Sequence, residues 1–444
     1  MAHTATAPAA SASEAPKPIV AAWYGLAALV LATVLAQMDR QILVLIAQPL
    51  KQALGFSDTQ IGAINGIALS LIAMLATFPL GWLADRVDRR RLLALCIVVW
   101  SAFTAGCGFA RDFQQLFACS MGIAVGEAVL GPVSYAFIAD LFPAQQWMIA
   151  NYVYYVTAVL GSAAGMAFSG GAIAFAGGHR GLLPLVPPGF ESWRVALLFI
   201  ALPGPVIALL VALIRVAART RATAVERVVG LGVYLRENAR TCVGVFGGFG
   251  LAAASSGAVA AWIPVVLERA FNQTPAQTGL RIGAVLMAAT ATGVLISGIL
   301  ARKLRSKLGR LTALRISEVG VVAALLTVPI FLIATSAWQV YLAIALHGIA
   351  INVCLSLSPT ILQFMAPQRM RGRVIAIGGL LSMVFMSLAP LIVGWVSDRL
   401  TVGARGLLLA IAVVGGPCYL LSFLVMRIAE PTLGRTFEAA KAAE

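Results

Sequence analysis

Long apolar stretches, separated by short polar segments, recur from one end of the chain to the other. A run of about twenty apolar residues is long enough to cross the hydrocarbon core of a bilayer as a helix. The pattern therefore predicts an all-α polytopic membrane protein with twelve transmembrane helices. We place these helices near residues 20–48, 58–83, 91–110, 114–140, 147–175, 192–214, 240–267, 276–300, 312–335, 337–363, 371–397 and 404–428.

The amino-acid composition agrees with a membrane location. Hydrophobic residues make up 60% of the chain, charged residues 11%, and the mean hydropathy is +0.93. A soluble domain carries roughly 25% charged residues, so this chain has too few to cover a surface exposed to water. We therefore expect the lipid bilayer to surround it. The net charge of +15 does not indicate a nucleic-acid partner, because the cations lie in short loops between apolar spans.

The distribution of Lys and Arg predicts an orientation in the membrane. If the N-terminus is cytoplasmic, the cytoplasmic segments carry 23 of the 32 cations, the opposite side carries 8, and Arg40 lies within the first span. Cytoplasmic loops of membrane proteins are enriched in Lys and Arg. We therefore expect both termini in the cytoplasm and a multi-pass protein of the cell's inner (plasma) membrane.

The longest basic connection, residues 215–239, follows the sixth span and predicts a division into two halves. We expect an N-terminal six-helix bundle at 19–214 and a C-terminal six-helix bundle at 240–428, joined by this cytoplasmic linker. Residues 1–18 are rich in Ala, Pro and Ser and predict a disordered cytoplasmic tail. Residues 429–444 are expected to form a second cytoplasmic tail.

A short motif recurs at the ends of three predicted helices. Residues 81–86 (GWLADR) follow the second span, residues 298–303 (GILARK) follow the eighth, and residues 394–399 (GWVSDR) end the eleventh on the opposite face. Parallel six-helix halves that each contain inverted three-helix repeats would place related motifs at these three positions. The recurrence therefore supports two related bundles.

Residues 81–91, GWLADRVDRRR, resemble the signature between helices 2 and 3 of the major facilitator superfamily of transporters, except that Asp88 replaces the usual Gly. The resemblance implies the fold of that superfamily, a monomer, and a loop that helps hold one access state closed. It assigns this conformational switch to Gly81, Asp85, Arg86, Arg89 and Arg90. Asp85 is expected against the start of the eleventh helix, near Arg371, where the helix dipole favours an anion.

Four further segments carry a narrower resemblance. They are residues 38–43 (MDRQIL), 54–58 (LGFSD), 122–128 (GIAVGEA) and 138–143 (IADLFP). Together they are similar to the Spinster subfamily, including its bacterial members, and imply a sphingolipid- or lysophospholipid-like amphiphile as substrate. That subfamily usually carries an Arg on helix 4, seven residues before the Glu. Ser120 occupies this position here, so the chain departs from the subfamily pattern and lacks the Arg on which such a relay would depend.

Three ionisable residues lie inside predicted spans: Asp39 and Arg40 in the first, and Glu127 in the fourth. Charges within a span are costly and usually functional. The resemblance brings these groups together, because helices 1, 4, 7 and 10 line the central cavity of the superfamily. Protonation of one carboxylate would neutralise the cluster, so we hypothesise proton coupling and gating here, with the proton gradient as energy source and no cofactor. The alternative is a structural ion pair of Arg40 with Asp39 or Glu127.

The walls contributed by the C-terminal half are predicted to be weakly polar. The predicted substrate cavity comprises Arg40, Glu127, Ser255, Ser256, His347 and Asn352. One charged wall facing one apolar wall suits an amphiphile whose head group lies beside Arg40 and Glu127. His347 is a second candidate for protonation; the alternative is that it packs in the helix bundle through a hydrogen bond.

Other functions remain open at this point. Multidrug efflux and uptake of a small organic anion are alternative transport activities, and Arg40 would serve an anion directly. A membrane-embedded enzyme is disfavoured because the sequence contains three histidines, no HExxH motif and no P-loop. A channel is disfavoured because two six-helix halves with buried charges are typical of alternating access.

Overall fold

The computed structural model describes residues 19–179, 190–214, 231–367, 370–400 and 405–442. The predicted tail at residues 1–18 and residues 215–230 of the predicted linker lie outside this described part. Eleven stretches of the described residues are long and apolar enough to cross a membrane. The longest, Pro275–Ile333, comprises two helices joined by the turn Gly309–Leu311, so the described residues contain all twelve predicted spans.

The membrane helices are numbered in chain order. Their bounds are α1 Ile19–Leu45, α2 Asp58–Ala84, α3 Arg89–Phe109, α4 Phe113–Leu141, α5 Trp147–Gly178, α6 Ser192–Ala212, α7 Ala239–Phe271, α8 Pro275–Leu308, α9 Thr312–Ile333, α10 Ala337–Phe364, α11 Arg371–Arg399 and α12 Gly406–Ala442. Short helices at Ala47–Leu54 and Leu231–Glu237 lie between α1 and α2 and before α7.

The two bundles share a local irregularity that supports their relationship. The helix α4 is interrupted by a turn at residues 128–129, and α10, which holds the same place in the second bundle, is interrupted at residues 356–357. Interruptions of this kind are tolerated in a membrane where the freed backbone groups are buried in protein or line a cavity. The first interruption directly follows Glu127.

The last helix is longer than the sequence predicts. Residues 429–442, predicted as a tail, continue α12, and Ala429 and Leu433 are fully buried. The sequence does not reveal this extension of α12, because Arg427 and Glu430 interrupt the apolar run. In the structure Arg427 Nη1 lies 2.7 Å from Glu430 Oε2, and Glu430 also pairs with Arg315 of α9, so the charges are balanced and the helix continues.

The two bundles meet through close helix contacts near the face opposite the termini. The first part of α2 packs against the last part of α11, where a Cβ on Gly66 would lie 2.0 Å from the carbonyl oxygen of Ser387. The start of α8 packs against α5, where a Cβ on Gly283 would lie 2.6 Å from the carbonyl oxygen of Ala163. Small residues permit such approaches in membranes. By contrast, Ile72–Ala84 of α2 packs on α4 of its own bundle.

Candidate functional site

The central feature of the N-terminal bundle is an ion pair between α1 and α4. Arg40 Nε donates a hydrogen bond of 2.6 Å to Glu127 Oε2. The side chain of Glu127 is 2% exposed, whereas that of Arg40 is 31% exposed. The carboxylate is therefore buried within the bundle while the guanidinium reaches accessible space. Glu127 Oε1 is buried without a hydrogen-bond partner among the described residues.

Asp39 precedes Arg40 on α1 but faces a different helix. Its Oδ1 accepts a hydrogen bond of 3.0 Å from Thr104 Oγ1 on α3. Its side chain is buried, and Oδ2 has no hydrogen-bond partner in the described part of the chain. Of the two ion pairs that the sequence allowed for Arg40, the structure therefore shows the one with Glu127.

The helix α3 connects the two carboxylates. Trp100 lies one helical turn before Thr104, and it packs so closely on α4 that a Cβ on Gly126 would be 2.6 Å from Trp100 Cβ. Gly126 is the neighbour of Glu127 in sequence. Asp39 and Glu127 therefore border consecutive turns of the same helix. The structure brings the predicted three-residue cluster together, with Thr104 and Trp100 as members that the sequence did not single out.

Ser120, where the resemblance expects an Arg, is buried in the N-terminal bundle. Its Oγ donates a hydrogen bond of 2.8 Å to the backbone oxygen of Leu116, one turn earlier on α4. This hydrogen bond satisfies the hydroxyl within its own helix. Among the residues that the structure describes, Arg40 supplies the positive charge that pairs with Glu127.

A cavity between α5, α7, α8 and α10 contains three of the predicted cavity residues. Its volume is about 170 Å³, and Ser256, His347 and Asn352 line it. Most of the other lining side chains are apolar. They include Val259, Ile263, Ile282, Leu286, Ile344 and Ile351. Arg40 and Glu127 are not among the residues that line this space, so a single cavity with one charged wall and one weakly polar wall stays a prediction.

Ser255 was predicted in the cavity but has a different position. Its Oγ donates a hydrogen bond of 3.0 Å to the backbone oxygen of Gly415 on α12. Successive residues of an α-helix point about 100° apart, so Ser255 and Ser256 face different neighbours. The prediction for Ser255 was wrong because the serine pair in the sequence does not reveal which member faces inward.

The predicted cavity residue His347 is held by two hydrogen bonds. Thr327 Oγ1 of α9 lies 2.9 Å from Nδ1, and the hydroxyl of Tyr419 of α12 lies 3.1 Å from Nε2. Both ring nitrogens are therefore engaged by neighbouring helices. This geometry favours the packing alternative for His347, although the residue also forms part of the cavity wall.

Asn352, also predicted to line the cavity, lies on α10 one turn after Gly348. Its Nδ2 donates a hydrogen bond of 2.8 Å to the Gly348 backbone oxygen and one of 3.4 Å to Thr290 Oγ1 of α8. Its amide oxygen is therefore the group left to face a ligand. Asn352 thus supplies a polar group to a wall that is otherwise largely apolar.

The predicted switch loop pairs within its own bundle in this conformation. Asp85 is 73% exposed and accepts a hydrogen bond of 2.7 Å from Arg89 Nη2. Arg86 lies over the ring of Trp82, 3.5 Å from its centroid. A Cβ on Gly81 would meet no atom within 4 Å, so the loop is not clamped against another helix at this point.

The unusual Asp88 of this loop has a structural role. Its side chain accepts a hydrogen bond of 2.9 Å from the backbone N–H of Arg90 and so caps the N-terminus of α3. The Arg90 guanidinium, 2.8 Å from Asp88 Oδ2, holds the pKa of this carboxyl below its usual range. Arg90 also donates to the backbone oxygen of Ile214 after α6. Aspartate is a favoured N-cap residue, which explains its tolerance in place of Gly.

A polar cluster on the face opposite the termini, which we call the Asp58 cluster, joins the two bundles. Asp58 at the start of α2 accepts hydrogen bonds from Lys51 Nζ (2.7 Å), Ser397 Oγ (2.7 Å) and both terminal nitrogens of Arg269 (2.9 Å each). Its side chain is 2% exposed. Arg269 also donates to Gln48 Oε1. Residues of α7 and α11 thereby hold the start of α2.

Asp398 reinforces the same contact from α11. Its carboxylate accepts hydrogen bonds from the backbone N–H groups of Asp58 (2.9 Å) and Thr59 (2.8 Å), at the N-terminus of α2. A carboxylate at this end of a helix is stabilised by the unpaired N–H groups and the helix dipole. The motif at residues 394–399 therefore caps a helix of the opposite bundle.

The motifs at residues 81–86 and 394–399 share more than their sequence pattern. Arg399 lies over the Trp395 ring, 3.7 Å from its centroid, as Arg86 does over Trp82. The recurrence is visible in the sequence, but the sequence alone does not reveal a role for the second motif. The Asp58 cluster was missed because its residues come from four separated segments. The only sequence signals were the repeated motif and the LGFSD segment.

A sequence profile of the Major Facilitator Superfamily matches residues 29–390, and a second match covers residues 245–442. The chain belongs to this superfamily. It is therefore a multi-pass membrane protein of a transporter family rather than an enzyme.

Individual relatives agree with this assignment. An MFS-type efflux pump of Mycolicibacterium smegmatis is 27% identical over 418 residues, which cover 90% of this chain and 92% of that protein. The sphingosine-1-phosphate transporter SPNS2 of Danio rerio is 25% identical over 387 residues, 83% of this chain and 74% of that protein. The resemblances to the superfamily and to Spinster proteins are thus confirmed.

The fold is also that of a solved transporter structure. A bacterial homologue of the human lysosomal transporter Spinster, in an inward-facing and unoccupied conformation, superposes with a TM-score of 0.78. The sequences are 21% identical, and the similarity covers 95% of this chain and 99% of that one. At this identity the likeness concerns the fold alone.

Proposed function

We propose that this protein is a secondary active transporter that works by alternating access, is driven by the proton gradient, and moves an amphiphilic, lysolipid- or sphingolipid-like substrate. The observation that carries the proposal is the pair formed by Arg40 and Glu127. A buried carboxylate touches, at 2.6 Å, a guanidinium that is partly accessible. Such a pair can exchange its partner for a substrate when the carboxylate changes charge.

The proton-coupling step follows from this exchange. While Glu127 is ionised, it holds Arg40. When Glu127 binds a proton, the charge-assisted hydrogen bond is lost and the guanidinium is free to bind an anionic head group. Release of the proton restores the pair and displaces the head group. Asp39, with one oxygen bonded to Thr104 and one without a partner among the described residues, is the second carboxyl that can take part.

The amphiphilic substrate is supported by the contrast between the two bundles. The N-terminal bundle offers Arg40 to a phosphate or sulfate group, since planar guanidinium groups match such anions in geometry. The C-terminal bundle contributes most of the lining of a mostly apolar cavity with few polar groups, among them Ser256 and Asn352. The similarity to a sphingosine-1-phosphate transporter and to an efflux pump adds support.

Alternating access is supported by the contacts between the bundles. The Asp58 cluster and the packing of Gly66 on Ser387 join them near the face opposite the termini. To expose the cavity on that face, the protein has to break the Arg269–Asp58 pair and withdraw Asp398 from the start of α2. With the predicted orientation of the termini, the face that these contacts hold closed is the one away from the cytoplasm.

Transport of a small organic anion is the second candidate, and the accessible Arg40 favours it. The two candidates, and multidrug efflux, are separated by competition for binding. Purified protein is incubated with a radiolabelled lysophosphatidylglycerol, and unlabelled lysolipids, sphingosine 1-phosphate, a cationic drug such as ethidium, and gluconate compete. We expect the anionic amphiphiles to displace the label at the lowest concentrations. Displacement by gluconate or ethidium at equal or lower concentrations would contradict the proposal.

The same assay tests the role of Arg40. We expect Arg40→Gln to weaken binding of the anionic lysolipid about tenfold or more, because a charge-assisted hydrogen bond is lost. Binding of a lysolipid with a neutral head group should change little. Arg281→Gln, which removes an exposed cation near the start of α8, is the matched control and should leave both affinities unchanged.

A further inference from the structure

A second cavity lies within the C-terminal bundle, on the same face as the C-terminus. It has a volume of about 870 Å³ and is formed by the end of α8, the start of α9, the end of α10, the start of α11 and the end of α12. Small-molecule sites in proteins usually measure roughly 300–1,000 Å³. This cavity is distinct from the substrate space described above, with which it shares no lining residue.

Arginine side chains dominate the polar lining of this cavity. Arg302, Arg305, Arg310 and Arg371 all contribute to it. Arg310 pairs with Glu438 at 2.9 Å, but both side chains are at least half exposed, and exposed pairs of this kind contribute little. Neither Arg302 nor Arg305 forms an ion pair with any residue that the structure describes. Arg302 and Arg305 thus bring two positive charges to the cavity that no ion pair among the described residues balances.

The rest of the lining is apolar. Phe364 and Phe437 contribute their rings, whose centroids are 5.9 Å apart, and Leu357 and Ala366 add aliphatic surface. Phe364 lies at the end of the membrane helix α10, and its side chain is largely exposed. Surface cations that interact only with water do not require aromatic and aliphatic side chains around them. The combination of guanidinium groups above aromatic and aliphatic side chains is complementary to an anion that carries a hydrocarbon stem.

We propose that this cavity binds an anionic phospholipid of the adjacent bilayer leaflet. Arg302 and Arg305 bind its phosphate by bidentate hydrogen bonds, and the glycerol and upper acyl chain lie against Phe364 and Leu357. Basic pockets between membrane helices at the cytoplasmic interface are suited to such head groups. The lipid links the end of α8 to the start of α11, and both helices pack against the opposite bundle elsewhere along their length.

The chain offers a matched pair of variants for the test. Arg302→Gln/Arg305→Gln removes two cations that line the cavity, whereas Lys303→Gln/Lys307→Gln removes two exposed cations of the same helix that do not line it. Both double variants lower the net charge equally. The substituted side chains are exposed, so both proteins are expected to fold, which the thermal unfolding temperature in phosphatidylcholine micelles verifies.

The measurement is the binding of phosphatidylglycerol to delipidated full-length protein. Binding is detected by native mass spectrometry, with phosphatidylcholine as the reference lipid. Wild type and Lys303→Gln/Lys307→Gln should bind phosphatidylglycerol with equal affinity, and Arg302→Gln/Arg305→Gln about tenfold more weakly or worse. Equal losses in both double variants, or no loss in either, would overturn the proposal. Inorganic phosphate that displaces the lipid at equal concentration would show a site for soluble anions and also overturn it.

Discussion

Arg269 of α7 and Asp58 at the start of α2 form a two-pronged ion pair that joins the two bundles. Both terminal nitrogens of Arg269 lie 2.9 Å from the Asp58 carboxylate, whose side chain is 2% exposed. Bidentate geometry of this kind is the strongest arrangement available to a guanidinium and a carboxylate. The pair lies on the face that has to open if the substrate is to reach the other side of the membrane.

Replacing Asp58 by Asn should therefore favour the state that is open at this face. Loss of one partner of a buried ion pair costs about 3–5 kcal/mol, and here the cost falls only on the closed conformation. The readout is labelling of a Ser256→Cys variant by a membrane-impermeant maleimide applied from the face opposite the termini. We expect faster labelling when Asp58→Asn is added.

Two controls accompany this labelling experiment. The parent protein without Ser256→Cys reports reaction of the native cysteines, four of which are buried and two partly buried. Glu438→Gln removes a carboxylate of an exposed ion pair and should leave the rate unchanged. An unchanged rate in Asp58→Asn would argue against a gate at this position.

The two related motifs predict opposite effects of two similar substitutions. Asp398 caps α2 in the described conformation, so Asp398→Asn should increase labelling of Ser256→Cys from the face opposite the termini. Asp85 pairs only at the surface here and is expected to cap α11 in the other state. Asp85→Asn should therefore decrease this labelling. Shifts in the same direction for both variants would refute the proposed equivalence of the motifs.

Gly66 allows a steric test of the contact between α2 and α11 that closes the face opposite the termini. Any side chain larger than hydrogen would place a Cβ 2.0 Å from the carbonyl oxygen of Ser387, so Gly66→Ala should prevent α2 and α11 from approaching fully. We expect slower transport and increased access from the face opposite the termini. The control is Gly416→Ala on α12, where a Cβ would meet no atom within 4 Å. Equal transport rates in Gly66→Ala and wild type would contradict the close approach.

Much of the fold is predictable because lipid imposes a simple rule on the sequence. Every span has to be apolar for about twenty residues, so the helices could be located and counted before their packing was known. The end of α12 could not, because Arg427 and Glu430 look like the start of a polar tail. Arg427 and Glu430 pair with each other within α12, but Glu430 also pairs with Arg315, on a helix that lies more than a hundred residues earlier.

The candidate site shows the same limit. Asp39, Arg40 and Glu127 stood out because charges inside apolar spans are rare, and the structure places them around α3. Ser255 was assigned to the wrong face, since a pair of serines carries no signal of orientation. The ion pair of Asp58 was not predicted, because an Asp at a predicted helix start is ordinary. Only the folded chain brings Arg269 to it.

We propose that Glu127 and Asp39 couple transport to protons through Arg40. The most direct measurement is uptake of a labelled lysolipid into proteoliposomes, driven by an imposed pH gradient, compared with exchange of the same substrate without a gradient. If this coupling exists, Glu127→Gln and Asp39→Asn should abolish gradient-driven flux, while at least one of them retains exchange. Gradient-driven flux equal to that of wild type in both variants would contradict it.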